Sequence, residues 1–225
     1  MFQQAKHISF DVWKTLIMPS KEYSKLRDEC IADHFNITYE EAKAVYGNTK
    51  RFLDKSAEIN ENCMSSPKCW QLLEAMAKVK GTNLELLQKD THAIFKANLP
   101  TVYPELVKQV QDLVNIYGYT VGIVSNTNFI PGQVLRESIF NEWNVFSTAL
   151  FSDEELVPKP NPIIFERMYE EVQENHEDFI SENDIIHVGD NKICDGVASK
   201  LGFQFFYVEN PTDLSEKLKT QVIYK

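Results

Sequence analysis

The feature that most limits what this chain can fold into is its uneven distribution of strand signals. Residues 6–12 (KHISFDV) read as a short buried strand ending at an acid, and nothing strand-like follows until after Pro100. The stretch between, about 20–98, reads as helix throughout. EYSKLRDECIADHF is amphipathic, and Thr38 with Glu41 forms a capping box that opens a second helix. Ser66-Pro67 starts a third, which Gly81 can close, and Thr82 with Glu85 repeats the box for a fourth.

After Pro100 strands and helices alternate. PELVKQVQDLVNIYG predicts a helix ending at Gly118, and YTVGIVSNT a strand ending in small polar residues. A helix near 131–140, a strand TALFSD and a helix over Pro162–Gln173 follow. The strand DIIHVGD, a helix over Asp195–Leu201 closed by Gly202, and the strand FQFFYVE complete the series. Such alternation predicts βαβ units and a parallel sheet covered on both faces. The expected fold class is therefore α/β, with a core from residues 1–17 and 100–225 interrupted by a helical domain over 18–99.

Composition narrows the function classes. The charge is 23 Lys+Arg against 33 Asp+Glu, or −10, with no basic run, so nucleic acid and anionic membrane are not expected partners. No apolar stretch reaches signal-peptide or membrane-span length. The four cysteines (Cys30, Cys63, Cys69, Cys194) are scattered and include no C-x-x-C pair, which fits reduced thiols in a cytoplasm.

In an open parallel sheet, ligands bind beyond the carboxyl ends of the strands. The first strand delivers Asp11 there, within DVWKT, and the second delivers Ser125 and Asn126, within GIVSNT. A later strand delivers Asp190, with Asp195 following in the next helix, and Lys159 sits on the Pro-stiffened loop VPKPNP. Each alone reads as a turn residue or a helix cap. Together they place three carboxylates, a hydroxyl and an ammonium on one edge of the sheet, on turns whose N–H groups can hold an anion.

The order DVWKT, SNT, KP, GDNKICD resembles the four motifs of the haloacid dehalogenase-like (HAD) superfamily, in the branch with an α-helical cap inserted after the first motif. The resemblance covers nearly the whole chain and implies a Rossmann-like core with a mobile cap. It implies that Asp11 is a nucleophile forming a covalent aspartyl intermediate, and that Lys159 keeps its carboxylate ionised. Thr15 and Ser125 would hydrogen-bond the nucleophile loop and a substrate oxyanion, helped by Asn126. Asp11 and Asp190 would hold Mg²⁺, with Asp195 completing the metal set or orienting it and Lys159 from behind.

Two adjacent positions depart from that pattern. Phosphatases of the superfamily usually carry a second Asp two residues after the nucleophile, as general acid; here Trp13 stands in that place. Trp13 is either core packing or a wall of the substrate pocket. Lys14, where Gly is common, is grouped with it among substrate-contacting positions. An aromatic residue at position 13 resembles the 2-haloacid dehalogenases, whose halide leaves unprotonated. The retained Asp190 points the other way, because a cluster of carboxylates with one ammonium needs a divalent cation. The leading expectation is thus a Mg²⁺-dependent phosphatase acting on a small phosphorylated metabolite. The alternatives are a metal-independent 2-haloacid dehalogenase and a non-catalytic homologue that binds a phosphorylated ligand. His34, Lys21, Arg27 and Arg51 are candidate substrate anchors in the cap.

Overall fold

The computed structural model describes residues 5–221; the first four and last four residues of the expected core lie outside it. Five parallel strands form the central sheet in the order β5-β4-β1-β6-β7, with β1 (His7–Phe10) in the middle. It pairs with β4 (Thr120–Ser125) through His7↔Thr120 and with β6 (Ile185–Gly189) through His7↔Ile185. Every residue of β1 and β6 is buried, as expected of inner strands with helices on both faces. The edge strands β5 (Phe146–Phe151) and β7 (Gln204–Tyr207) are only partly covered.

Alternation along β1 divides its side chains between two cores. Ile8 and Phe10 join Leu106 and Val110 of α5 (Pro104–Asn115) and Leu214 of α9 (Pro211–Gln221). The opposite face holds Val124, Ile185, and Phe165 and Met168 of α8 (Ile163–Glu174). The sequence reading contains no counterpart of α9, although Pro211 at its first turn is a helix-start signal.

Four helices stand between the first strand and the rest: α1 (Lys21–Phe35), α2 (Tyr39–Asn60), α3 (Ser66–Ala77) and α4 (Leu84–Ala97). They carry their own apolar cluster, including Ile31, Phe35, Leu53, Trp70 and Leu73. The capping box of Thr38 and Glu41 opens α2. Two expected boundaries shift. The cap of α4 is Asn83, whose side chain accepts from Leu86 N, because the Thr82 N–H instead donates to Glu74. Helix α3 ends at Lys78 in the left-handed region, three residues before Gly81.

The chain leaves and re-enters the core through a two-residue antiparallel ribbon, β2 (Ile17–Met18) with β3 (Thr101–Val102). Strands this short carry no readable periodicity. Two short helices, α6 (Gly132–Ser138) and α7 (Ser152–Glu155), follow β4 and β5. The expected helix over Asp195–Leu201 is a 3₁₀ segment, Gly196–Leu201, closed by Gly202. No helix among the described residues is long and apolar enough to cross a membrane.

Candidate active site

Asp11 follows the last residue of β1, and its N–H still bonds to Val188 O at 2.8 Å, so the sheet fixes its backbone. One carboxylate oxygen, Oδ1, accepts from Lys159 Nζ at 2.7 Å and from Ser125 Oγ at 3.3 Å. Lys159 is 1% exposed, and its ammonium spends its remaining donors on Val124 O at 2.8 Å and Asp195 Oδ1 at 2.5 Å. Three donors thus meet three acceptors, the condition under which a charge can be buried. The Asn126 side chain closes the arrangement: its Oδ1 accepts from Lys159 N at 2.7 Å and its Nδ2 donates to Lys159 O at 2.8 Å.

Asp195 precedes the 3₁₀ segment and is fully buried. Besides Lys159, its Oδ1 takes a bond from His187 Nε2 at 3.2 Å, and its Oδ2 accepts from Asn191 N at 2.9 Å. Ser9 Oγ lies 2.9 Å from the other ring nitrogen of His187. The Asp195 carboxylate can only accept, so the neutral ring carries its proton on Nε2 and Nδ1 accepts from the Ser9 hydroxyl. Ser9 and His187 entered no sequence expectation, although His187 sits inside the DIIHVGD strand.

The electrostatics follow from burial and pairing. Burial works against an ionised Asp195, yet Lys159 and the His187 hydrogen bond hold its carboxyl well below the usual range. Burial likewise opposes a charged Lys159, but Asp11 and Asp195 push its ammonium well above the ordinary lysine value. Burial raises the Asp11 carboxyl, Lys159 opposes this and Asp195 adds to it. Asp190, half-buried beside this group, is pushed up to about 6 by burial and then by Asp11. Its nearest cation is Lys14, whose Nζ is 3.7 Å from Oδ2 and whose side chain is 61% exposed.

Oxygens of Asp11, Asp190 and Asp195 lie within 4.8 Å of one another. A hard divalent cation fits this donor set: the second Asp11 oxygen and Asp190 are the free ligands, and their mutual repulsion is what a cation relieves. Both oxygens of Asp195 are already engaged, so it would orient such a site rather than ligate the cation directly.

A cavity of about 410 Å³ opens over these groups between core and cap. Asp11, Trp13, Lys14, Asn126, Lys159 and Asp190 line its core side. Trp13 packs on the core cluster and also lines the cavity. Lys14 adopts φ 63° in the tight loop closed by Lys14 N to Ile17 O at 2.8 Å. Thr15 is buried off the cavity, and its hydroxyl meets no partner. On the cap side, Arg27 lines the cavity, whereas His34 pairs with Asp90 at 2.9 Å and Arg51 with Asn48 at 2.5 Å, and neither of these two lines it. Lys21 does not line it either.

A family model described as haloacid dehalogenase-like hydrolase matches residues 5–198. No curated protein matches the sequence. Solved structures resemble it over nearly their full length. The HAD-hydrolase YfnB from Bacillus subtilis, solved with magnesium, has a TM-score of 0.69 at 17% identity, covering 96% of this chain and 100% of that one. The HAD family enzyme bt-2542 from Bacteroides thetaiotaomicron, in complex with magnesium and inorganic phosphate, has a TM-score of 0.65 at 19% identity, with coverages of 94% and 98%. A 2-haloacid dehalogenase from Pseudomonas syringae pv. Tomato DC3000 has a TM-score of 0.63 at 16% identity, with coverages of 96% and 99%. At these identities the likeness is one of fold.

Proposed function

The chain belongs to the haloacid dehalogenase-like hydrolase family, and from that premise we propose a Mg²⁺-dependent phosphatase that acts on a small phosphorylated metabolite through Asp11. The observation that carries this reading is the surplus of negative charge: Asp11 and Asp195 share the one buried ammonium of Lys159, and Asp190 beside them has only the exposed Lys14. When bound, Mg²⁺ would neutralise the Asp11–Asp190 pair and the substrate phosphate, as hard oxygen ligands favour.

The carboxylate of Asp11 attacks phosphorus, the P–O ester bond breaks, and the leaving oxygen departs with its electron pair. Lys159 keeps Asp11 ionised while Asn126 holds the Lys159 backbone in place. Water then attacks the aspartyl-phosphate and the P–O bond to Asp11 breaks; one of the water's protons stays on the inorganic phosphate and the other is released to solvent, which supplies the proton that the leaving oxygen takes up. The Trp13 indole cannot protonate the leaving oxygen, so hydrolysis favours substrates whose leaving group departs without help.

The test is hydrolysis of an aryl phosphate by the purified chain. Expected are turnover with Mg²⁺, its loss on chelation, and a drop of about 10³-fold or more in Asp11→Asn. Mass spectrometry of the quenched reaction should find one phosphoryl adduct, on Asp11. Trp13 favours a second reading, the 2-haloacid dehalogenase. Halide release from a 2-chloro acid that survives chelation would establish it and displace the phosphatase. Ligand-induced stabilisation with no turnover of either substrate would point to the binding homologue.

A further inference from the structure

Two ammonium groups stand at the carboxylate cluster, and they are held in opposite ways. Lys159 is buried and saturated, with Asp11 Oδ1 at 2.7 Å, Val124 O at 2.8 Å and Asp195 Oδ1 at 2.5 Å. Lys14 comes from the loop after β1, and its side chain is 61% exposed. The backbone of that loop is fixed: Lys14 N donates to Ile17 O at 2.8 Å, and the N–H groups of Leu16 and Ile17 both donate to Val12 O. What stays free is the four-carbon stem, which carries its ammonium into the lining of the cavity.

That ammonium rests 3.7 Å from Asp190 Oδ2. The separation is too long for a hydrogen bond, so the two groups are paired by charge alone. Among the described residues Lys14 is the only cation paired with Asp190. An exposed pair of this kind adds little to folding, and a ligand of higher charge can displace it. Both ways of admitting a divalent cation at Asp190 then carry a cost. An ammonium that stays would stand within about 6–8 Å of the ion, counting the 3.7 Å to the carboxylate and about 2 Å from oxygen to metal. Repulsion between a single and a double charge at that range, screened by water and salt, weakens binding by about threefold to tenfold. An ammonium that swings away gives up its pair with Asp190, a loss of similar order.

We infer that Lys14 is a built-in competitor of the divalent cation at Asp190. Its ammonium covers the carboxylate before metal arrives and so sets how much metal is needed to load the site. This rests on the Mg²⁺-dependent reading for the identity of the ion. Lys159 cannot play the same part, because all three of its donors are spent and its side chain is buried.

The experiment measures metal binding apart from turnover. The purified chain is stripped with chelator, desalted and titrated calorimetrically with magnesium chloride at pH 8, above the value of about 6 for Asp190. Manganese followed by paramagnetic resonance gives the same comparison where the heat of magnesium binding is small. Lys14→Gln should bind the ion about threefold to tenfold more tightly than the wild type, and Lys14→Arg should stay within about twofold of it. The gap between Lys14→Gln and the wild type should narrow as potassium chloride rises from about 0.05 M to about 0.5 M. Both variants should melt near the wild type without metal, since the side chain is exposed. An affinity unchanged or weakened in Lys14→Gln overturns the competitor, as does equal tightening in Lys14→Gln and Lys14→Arg, which would trace the effect to the loop and not to charge. If all three proteins bind the ion alike, the competitor alone falls and the metal-dependent reading stands. If none of them binds either ion, that reading falls and takes the competitor with it.

Discussion

At the scale of single residues, the lysine ammonium buried under Asp11 tolerates no partial loss. Lys159→Met would leave Asp11 and Asp195 facing each other without a cation. Stranding one partner of a buried pair costs about 3–5 kcal/mol, so chemical denaturation should show a loss of that size together with loss of hydrolysis. His7 offers a separate test. It is fully buried, and burial, with His176 and His187 nearby, pushes its imidazole from 6.5 down to about 3. A base depressed in the folded state supports stability above 6.5 and loses that support as pH falls toward 3, by up to about 1.4 kcal/mol per pH unit. Unfolding free energy should therefore decline from about pH 7 to 5 in the wild type and decline less in His7→Gln; parallel curves would refute the assignment. The acids, Ser125 and Lys159 were legible in the sequence because strand ends and motif spacing put them on one rim. Ser9 and His187 were not singled out by pattern, since the partners of a buried side chain emerge only when its neighbours are in place.

At the scale of elements, the end of β6 depends on a missing side chain. A Cβ added to Gly189 would land on the Asp195 carboxyl carbon, so Gly189→Ala must displace the group that shares Lys159 with Asp11. Activity should fall by about tenfold or more with a melting-temperature loss too small to explain it, and an unchanged kcat would count against the arrangement. The loop after β1 holds the opposite case. Lys14 sits in the left-handed region, where a side chain is strained, and its exposed ion pair with Asp190 gives little in return. Lys14→Gly should raise stability by about 0.5–1 kcal/mol, read from the denaturation midpoint. Element types were legible from periodicity, but boundaries were not: Glu74 takes the Thr82 N–H, and the cap of α4 moves to Asn83. That competition joins residues eight apart, beyond the reach of a local capping rule.

At the scale of the whole molecule, the loop after β4 ties the two halves together. Phe129 belongs to that core loop, yet its ring packs in the cap cluster, 4.6 Å from Tyr46 and 4.9 Å from Trp70 between centroids. Its carbonyl accepts from Ser66 Oγ at 3.2 Å and His92 Nε2 at 3.1 Å, both on cap helices. Phe129→Ala should cost about 3–5 kcal/mol and speed proteolysis where the chain crosses between halves, around residues 18–20 and 98–100. An aromatic residue in a turn gives no sequence sign that it is seated in another domain's core. The same loop carries Asn126, which grips the backbone of Lys159 three residues before the ring that fills the cap. A displacement of the cap would therefore pull on the clamp that sets the ammonium, and under the proposed reading would tie admission of substrate to the state of Asp11 through one short stretch of chain.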